Sequence, residues 1–202
     1  VDAAEAGHRG HRHPTIEGDV PVVRPPASPN LVMIGFMGAG KTVVGKLVAQ
    51  ALGREFLDTD ELVVQVAGMP VGEIFRQEGE DGFRRREQNA IDEAVASPAR
   101  VIAVGGGAVL SAENRTVLKQ AGYLVYLRAA PETLAVRLAD VTDRPLLNAA
   151  DRVGRIRDLL VARGPVYETA GDVTVDTDQT TPPQAAEQVV RWYRDQLDLG
   201  RP

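Results

Sequence analysis

Gly35-Phe36-Met37-Gly38-Ala39-Gly40-Lys41-Thr42 constrains this chain more than any other stretch. These positions match Gly-x-x-x-x-Gly-Lys-Ser/Thr, a loop whose glycines let successive backbone N–H groups turn inward around phosphate oxygens. The flanks supply the context the motif needs. Residues 31–34 form an apolar run of strand length before it. After it, Val43, Val44, Leu47, Val48, Ala51 and Leu52 recur at helical spacing over residues 42–52, and Gly53 supplies a stop. A strand, a glycine loop and a helix N-terminus in that order hold polyphosphate. Lys41 is placed to bridge the β- and γ-phosphates, and Thr42 Oγ to hold Mg²⁺. The expected ligand is a nucleoside triphosphate.

Short apolar runs alternate with helical patterns along the rest of the chain. Strands are expected at residues 55–57, 101–104, 123–127 and 173–175, in addition to 31–34. Helices are expected at about residues 61–67, 79–96, 111–122, 131–138, 151–163 and 182–197. Ser111 is placed as an N-cap and Gly122 as a stop. This alternation argues for an α/β fold, a parallel sheet covered by helices on both faces, with ligands at the carboxyl ends of the strands. Residues 1–29 stand apart, with five of the thirteen prolines and no apolar periodicity, and are expected to be a disordered leader. The body is expected to span residues 30–202.

Composition removes whole classes of chemistry. The chain has no cysteine, and its only histidines are His8, His11 and His13. The folded body therefore has no thiolate, no imidazole base and no histidine metal site. Lys plus Arg is 23 against 28 Asp plus Glu, a net charge of −5, which opposes general nucleic-acid binding. No apolar run approaches the ~20 residues of a membrane span, and no signal peptide is evident. The expected compartment is the cytoplasm, with no nucleic-acid or membrane partner, and the expected state is a monomer.

Several other positions carry chemistry. Asp58-Thr59-Asp60 closes the second expected strand. Two carboxylates at i and i+2 of an extended segment point the same way, so one can serve Mg²⁺ and the other a substrate hydroxyl. The tripeptide recurs at Asp176-Thr177-Asp178, where capping of the turn before Thr181-Pro182 is expected. In Phe83-Arg84-Arg85-Arg86-Glu87, Arg84 and Glu87 share a helix face. Arg84 is either part of a solvated basic face or a carboxylate clamp. Gly105-Gly106-Gly107 ends the central strand, where glycine lets a ligand lie against the backbone. Arg144-Pro145-Leu146-Leu147 lies in a polar loop, residues 141–149, from which an arginine can reach the γ-phosphate when a lid closes. Asn148-Ala149-Ala150-Asp151 lacks the lysine of a guanine reader. A small-molecule kinase fits best. A kinase for gluconate or a nucleoside monophosphate, and a regulatory ATP-binding module, are the rivals.

The phosphate loop, Asp58-Thr59-Asp60, Phe83-Arg84-Arg85-x-Glu87, Gly105-Gly106-Gly107-Ala108, Arg144-Pro145-Leu146-Leu147 and Arg163-x-Pro165-x-Tyr167 occur in the order seen in shikimate kinases. The chain resembles that family over about residues 31–198. The resemblance implies a P-loop, nucleoside-monophosphate-kinase-like fold with a five-stranded parallel sheet, a substrate-binding helical segment at about 60–88 and a lid at about 141–149. It implies ATP-dependent phosphorylation of the 3-hydroxyl of shikimate, in aromatic amino-acid biosynthesis. By the same resemblance, Gly38, Ala39, Gly40, Lys41, Thr42 and Val43 bind the nucleotide, and Arg137 packs on adenine. Thr42 and Asp58 serve Mg²⁺. Asp60 binds the shikimate hydroxyls and acts as base. Arg84, Gly106 and Arg163 grip the substrate, Phe75 and Phe83 wall its ring, and Arg144 is the lid arginine. The leader lies outside the family pattern, and Gln179-Thr180 offers no basic contact to adenine.

Overall fold

The computed structural model describes residues 28–139 and 151–199. Five strands form one parallel sheet: β1 (Asn30–Ile34), β2 (Phe56–Asp58), β3 (Val101–Ala103), β4 (Gly122–Arg128) and β5 (Val173–Asp176), in the order β2-β3-β1-β4-β5. Leu31 pairs with Val101 on one side and Tyr123 on the other, which puts β1 at the centre. All of β1 is buried, as a strand covered on both faces requires. The chain leaves β1 for the β2 edge, returns to β3, then crosses to β4 and β5. That reversal opens a crevice at the carboxyl ends of the strands, where ligands of such sheets bind.

Helix α1 (Lys41–Leu52) packs against α7 (Pro182–Leu199), while α4 (Ala112–Ala121) and α6 (Arg152–Ala170) pack against β4. Ser111 caps α4 as expected, its hydroxyl accepting from Asn114 N–H at 3.3 Å. The α1 stripe differs from expectation. Val44, Gly45, Val48 and Ala49 are buried, whereas Val43 and Ala51 are exposed. Gly45 explains the rotation, because a Cβ there would lie 2.6 Å from the Phe56 ring. The helix approaches the sheet along its smallest residues, which turns Val43 toward the cleft.

Four boundaries shift for local reasons. Strand β2 lies one residue later than expected, and α2 (Thr59–Ala67) starts directly from it, Asp58 being its N-cap. Asp60 therefore sits in a helical first turn and not on an extended segment. Helix α3 (Val71–Val95) starts eight residues before the expected Gly79, and is broken at Gly79, whose φ of 70° and ψ of −172° are not helical. Helix α6 runs through Pro165 to Ala170, although a proline argues for a stop at Arg163. Pro165 is exposed, so water can satisfy the Val161 carbonyl that the missing N–H leaves open. A short 3₁₀ turn (Ala108–Leu110) follows the triple glycine. Among the described residues, contacts with the body are already made at Ser28, two residues before its expected start. The Ser28 carbonyl accepts from Ala99 N–H, and that of Pro29 accepts from Arg54 and Tyr193.

Asp176-Thr177-Asp178 caps the turn before Thr181-Pro182 as expected, Asp176 Oδ1 accepting from Asp178 N–H at 2.9 Å and the Asp176 carbonyl from Thr180 Oγ1 at 2.6 Å. Thr181 and Gln184 then cap α7 reciprocally, the Gln184 side chain accepting from Thr181 N–H at 2.9 Å. Asp178 also accepts from Ala130 N–H at 2.9 and 3.1 Å, beside the start of α5 (Pro131–Arg137).

Candidate active site

The phosphate loop links β1 to α1 through Gly35, Gly38 and Gly40, all at positive φ. A Cβ on Gly35 would lie 2.4 Å from the Leu127 carbonyl oxygen, so the loop can pass β4 only as glycine. No side chain caps α1, which leaves its first N–H groups facing the crevice. Lys41 Nζ donates to the carbonyls of Gly35 (2.9 Å) and Phe36 (3.0 Å), which hold the ammonium over the loop.

Thr42 Oγ1 donates to Asp58 Oδ2 at 2.7 Å, and Asp58 Oδ1 accepts from Asp60 N–H at 3.0 Å. Both Asp58 oxygens are thereby fixed. Asp60 lies deeper, against Gly105. A Cβ on Gly105 would lie 2.8 Å from both Asp60 Oδ1 and Glu87 Oε1, so this glycine admits two carboxylates. Glu87 is buried and accepts from Arg84 Nη1 at 2.8 Å. Burial raises its pKa above the ordinary carboxylate value; Arg84 opposes the rise, and Asp60 adds to it. Burial alone would lower the pKa of Arg84, but Glu87 and Glu80 more than offset that and raise it. The guanidinium stays charged.

Break and packing in α3 shape the far wall. Phe75 stacks on Phe83 with centroids 4.6 Å apart, across the Gly79 break. Gly106 comes against the phosphate loop, where a Cβ would lie 3.2 Å from Met37 N. Arg163 on α6 lies 5.9 Å over the Phe36 ring. Arg137 donates to the Thr177 carbonyl (2.5 Å), to Thr177 Oγ1 (3.0 Å) and to Gly38 O (3.4 Å). Its head is thus tied beside the loop.

Gly38, Ala39, Gly40, Lys41, Thr42, Val43, Asp58, Asp60, Phe75, Phe83, Arg84, Gly106, Arg137 and Arg163 all line one cleft of about 830 Å³. That volume is ample for a nucleotide and a small acceptor. Arg144 and the 141–149 segment lie outside the described residues. Sequence reasoning missed Thr177, Thr180, Pro182 and Ala185, which line the same cleft beyond the phosphate loop. It also gave Glu87 no role, although the i, i+3 spacing to Arg84 was its signal. Among the described residues, no group of three or more His, Cys, Asp or Glu could hold a metal by itself.

A phosphate loop at the centre of a five-stranded parallel sheet, facing an acceptor pocket, defines a P-loop protein of the nucleoside-monophosphate-kinase-like fold. Comparison with known proteins narrows the class. The shikimate kinase family model matches residues 37–194. A shikimate kinase of Symbiobacterium thermophilum is 44% identical over 173 residues, covering 85% of this chain and 99% of that protein. One from Neisseria meningitidis is 46% identical over 147 residues, covering 73% and 86%. The solved shikimate kinase of Acinetobacter baumannii, in complex with shikimate, superposes with a TM-score of 0.80 at 39% identity, covering 84% of this chain and 94% of that one. The chain belongs to the shikimate kinase family.

Proposed function

We propose that this chain transfers the γ-phosphoryl group of ATP to the 3-hydroxyl of shikimate, giving shikimate 3-phosphate and ADP. One observation carries the reading. A single cleft joins the phosphate loop to Asp60 and to two arginines, Arg84 and Arg163, between aromatic walls. An acceptor with hydroxyls and one carboxylate needs those groups.

The nucleotide phosphates lie on the N–H groups of the loop and of the first turn of α1, with Lys41 moving from the loop carbonyls onto the β- and γ-oxygens. Arg137 and Val43 border the adenosine side. Thr42 and Asp58 would hold Mg²⁺, because a hydroxyl and a carboxylate already 2.7 Å apart offer the oxygen donors that ion prefers. When bound, that ion neutralises charge on the phosphates. Arg84 and Arg163 grip the acceptor carboxylate, Phe75 and Phe83 wall its ring, and Gly106 admits it close to the backbone. Asp60 accepts the hydroxyl proton as the new O–P bond forms and ADP leaves. Arg144 closes over the phosphates from the 141–149 lid. Charge placement and alignment suffice for phosphoryl transfer, so the absence of histidine and cysteine from the body is no obstacle.

The reading takes the chain as a monomer whose catalytic unit includes Ser28 and Pro29, with residues 1–27 outside it. ATP as donor supports the cytoplasm as compartment. Among the described residues no helix is long and apolar enough to cross a membrane. The test is ADP release measured with shikimate, with gluconate, with a nucleoside monophosphate and with no acceptor. Release that depends on shikimate alone is expected; release indifferent to shikimate refutes the reading.

A further inference from the structure

Tyr167 lies on α6 four residues after Arg163, one helical turn on. It is fully buried, and its ring stacks on Tyr126 with centroids 5.4 Å apart. Stacking and burial need only the ring, and phenylalanine would supply both. The hydroxyl has more specific partners. It donates to the Gly106 carbonyl at 2.5 Å, and the positive charge of Arg163 acts on it. A carbonyl only accepts, so the phenol's one proton is committed to Gly106.

The Gly106 carbonyl matters because Gly105, Gly106 and Gly107 form one wall of the cleft. Gly105, Gly106 and Gly107 have no side chains to fix their backbone, and glycine is the most permissive residue. The outer two carbonyls are held by the turn that follows, Gly105 O accepting from Ala108 N–H and Gly107 O from Leu110 N–H, both at 3.0 Å. Gly105 N–H donates to the buried Thr59 Oγ1 at 3.2 Å, and Gly106 O accepts from Tyr167. In a trans peptide the C=O and the following N–H point to opposite sides. Holding Gly106 O toward Tyr167 therefore turns Gly107 N–H the other way. A Cβ on Gly107 would lie 2.8 Å from Arg84 Nη1, so the glycine run also sets where that arginine can rest.

We propose that Tyr167 is a positioning residue for the acceptor, whose hydroxyl fixes the Gly106 carbonyl and so keeps the Gly105–Gly107 wall in register with the arginine clamp. The inference rests on the shikimate-kinase reading and adds to it a residue that does not line the cleft. Burial pushes the phenol pKa up to about 12, so the hydroxyl keeps its proton at every working pH.

Tyr167→Phe keeps the ring and its stacking and removes only the oxygen. Steady-state kinetics with each substrate varied should show KM for shikimate up by about tenfold, KM for ATP within about twofold and kcat down by less than about threefold. In an Arg163→Ala background, the same change should lower kcat/KM for shikimate by less than about threefold, because the two residues act together. A KM for shikimate that moves less than about twofold overturns the proposal. So does a parallel rise in both KM values with a lower melting temperature, which marks a purely structural ring. So does an undiminished loss in the Arg163→Ala background. Wild-type protein measured alongside separates the two levels. Shikimate-dependent turnover in wild type with an unaffected Tyr167→Phe refutes the positioning role alone, whereas wild type indifferent to shikimate refutes the functional reading and this one with it.

Discussion

Gly79→Ala isolates the feature of α3 on which the acceptor wall depends. At φ 70° and ψ −172°, Gly79 occupies backbone space that residues with a Cβ scarcely enter. A Cβ there would meet nothing within 4 Å, so neighbours contribute no penalty and the whole cost is backbone strain. Such strain is of order 1–3 kcal/mol. At about 2–4 °C per kcal/mol for a domain of this size, the melting temperature should fall by roughly 2–12 °C. Gly72→Ala is the control. It lies on the same helix, exposed, with nothing within 4 Å of its added Cβ and no positive φ, and should hold or raise stability by up to about 1 kcal/mol.

The break also has a functional consequence. Phe75 stacks on Phe83, and Glu78 takes two close bonds from Arg86, at 2.9 Å to Nε and 2.7 Å to Nη2. Both pairs are eight residues apart. In a continuous helix, residues at that spacing lie about 12 Å apart along the axis. Neither pair can meet unless the chain turns at Gly79. Thermal melts of both variants, with KM for shikimate, give the assay. Gly79→Ala should lose stability and raise KM for shikimate more than KM for ATP. A variant that melts with or above wild type and keeps its KM refutes the reasoning.

Lys41→Met removes the ammonium from the site of developing charge and should lower kcat by on the order of 10²-fold, with melting temperature nearly unchanged; near-normal turnover contradicts the loop assignment. Deleting residues 1–27 should leave melting and turnover as they are, whereas also removing Ser28 and Pro29 should lower the melting temperature, because their carbonyls accept from Ala99, Arg54 and Tyr193. Equal melts for the two truncations would show those contacts to be without weight. Burial lifts the Glu87 pKa above its ordinary 4.5, and an acid raised in the folded state adds stability at low pH that is lost as pH climbs through the raised value. Glu87→Gln should therefore gain on wild type in melting temperature from pH 4.5 toward neutrality, and a difference that stays flat would contradict this.

Much of the architecture is legible in the chain, because its punctuation coincides with real element ends. Gly35 closes β1, Gly53 ends α1, and Ser111 opens α4. What escapes sequence reasoning is punctuation that tertiary structure overrides. Gly79 is a helix boundary as the sequence suggests, but the helical stretch 71–78 before it carries no such signal, and Pro165, which resembles a helix stop, lies inside a helix. Gly79 is retained there because two pairs of side chains meet across it, and Pro165 because its face is exposed. Tyr167 is buried, and so resembles any core aromatic. Only the fold reveals that its hydroxyl reaches a glycine 61 positions earlier.

The two Asp-Thr-Asp tripeptides show where local sequence stops deciding. They end β2 and β5, the opposite edges of the sheet, each two strands from β1. They share one local hydrogen bond, although Thr59 and Asp60 enter a helix and Thr177 and Asp178 do not. The first carboxylate accepts from the N–H two residues on, at 3.0 Å for Asp58 and 2.9 Å for Asp176, and the threonine is buried. Each threonine hydroxyl also braces a glycine-rich segment of the site, Thr59 holding Gly105 N–H and Thr177 reaching Ala39 O in the phosphate loop. The difference arises from what stands opposite the final aspartate. Asp178 meets the free N–H of Ala130 ahead of α5, which takes both of its oxygens. Asp60 meets the side-chain-free wall at Gly105 and the buried Glu87, and so keeps a place in the cleft. Identical tripeptides thus give one structural brace and one candidate catalytic carboxylate, and the partner strands, not the tripeptides, decide which is which.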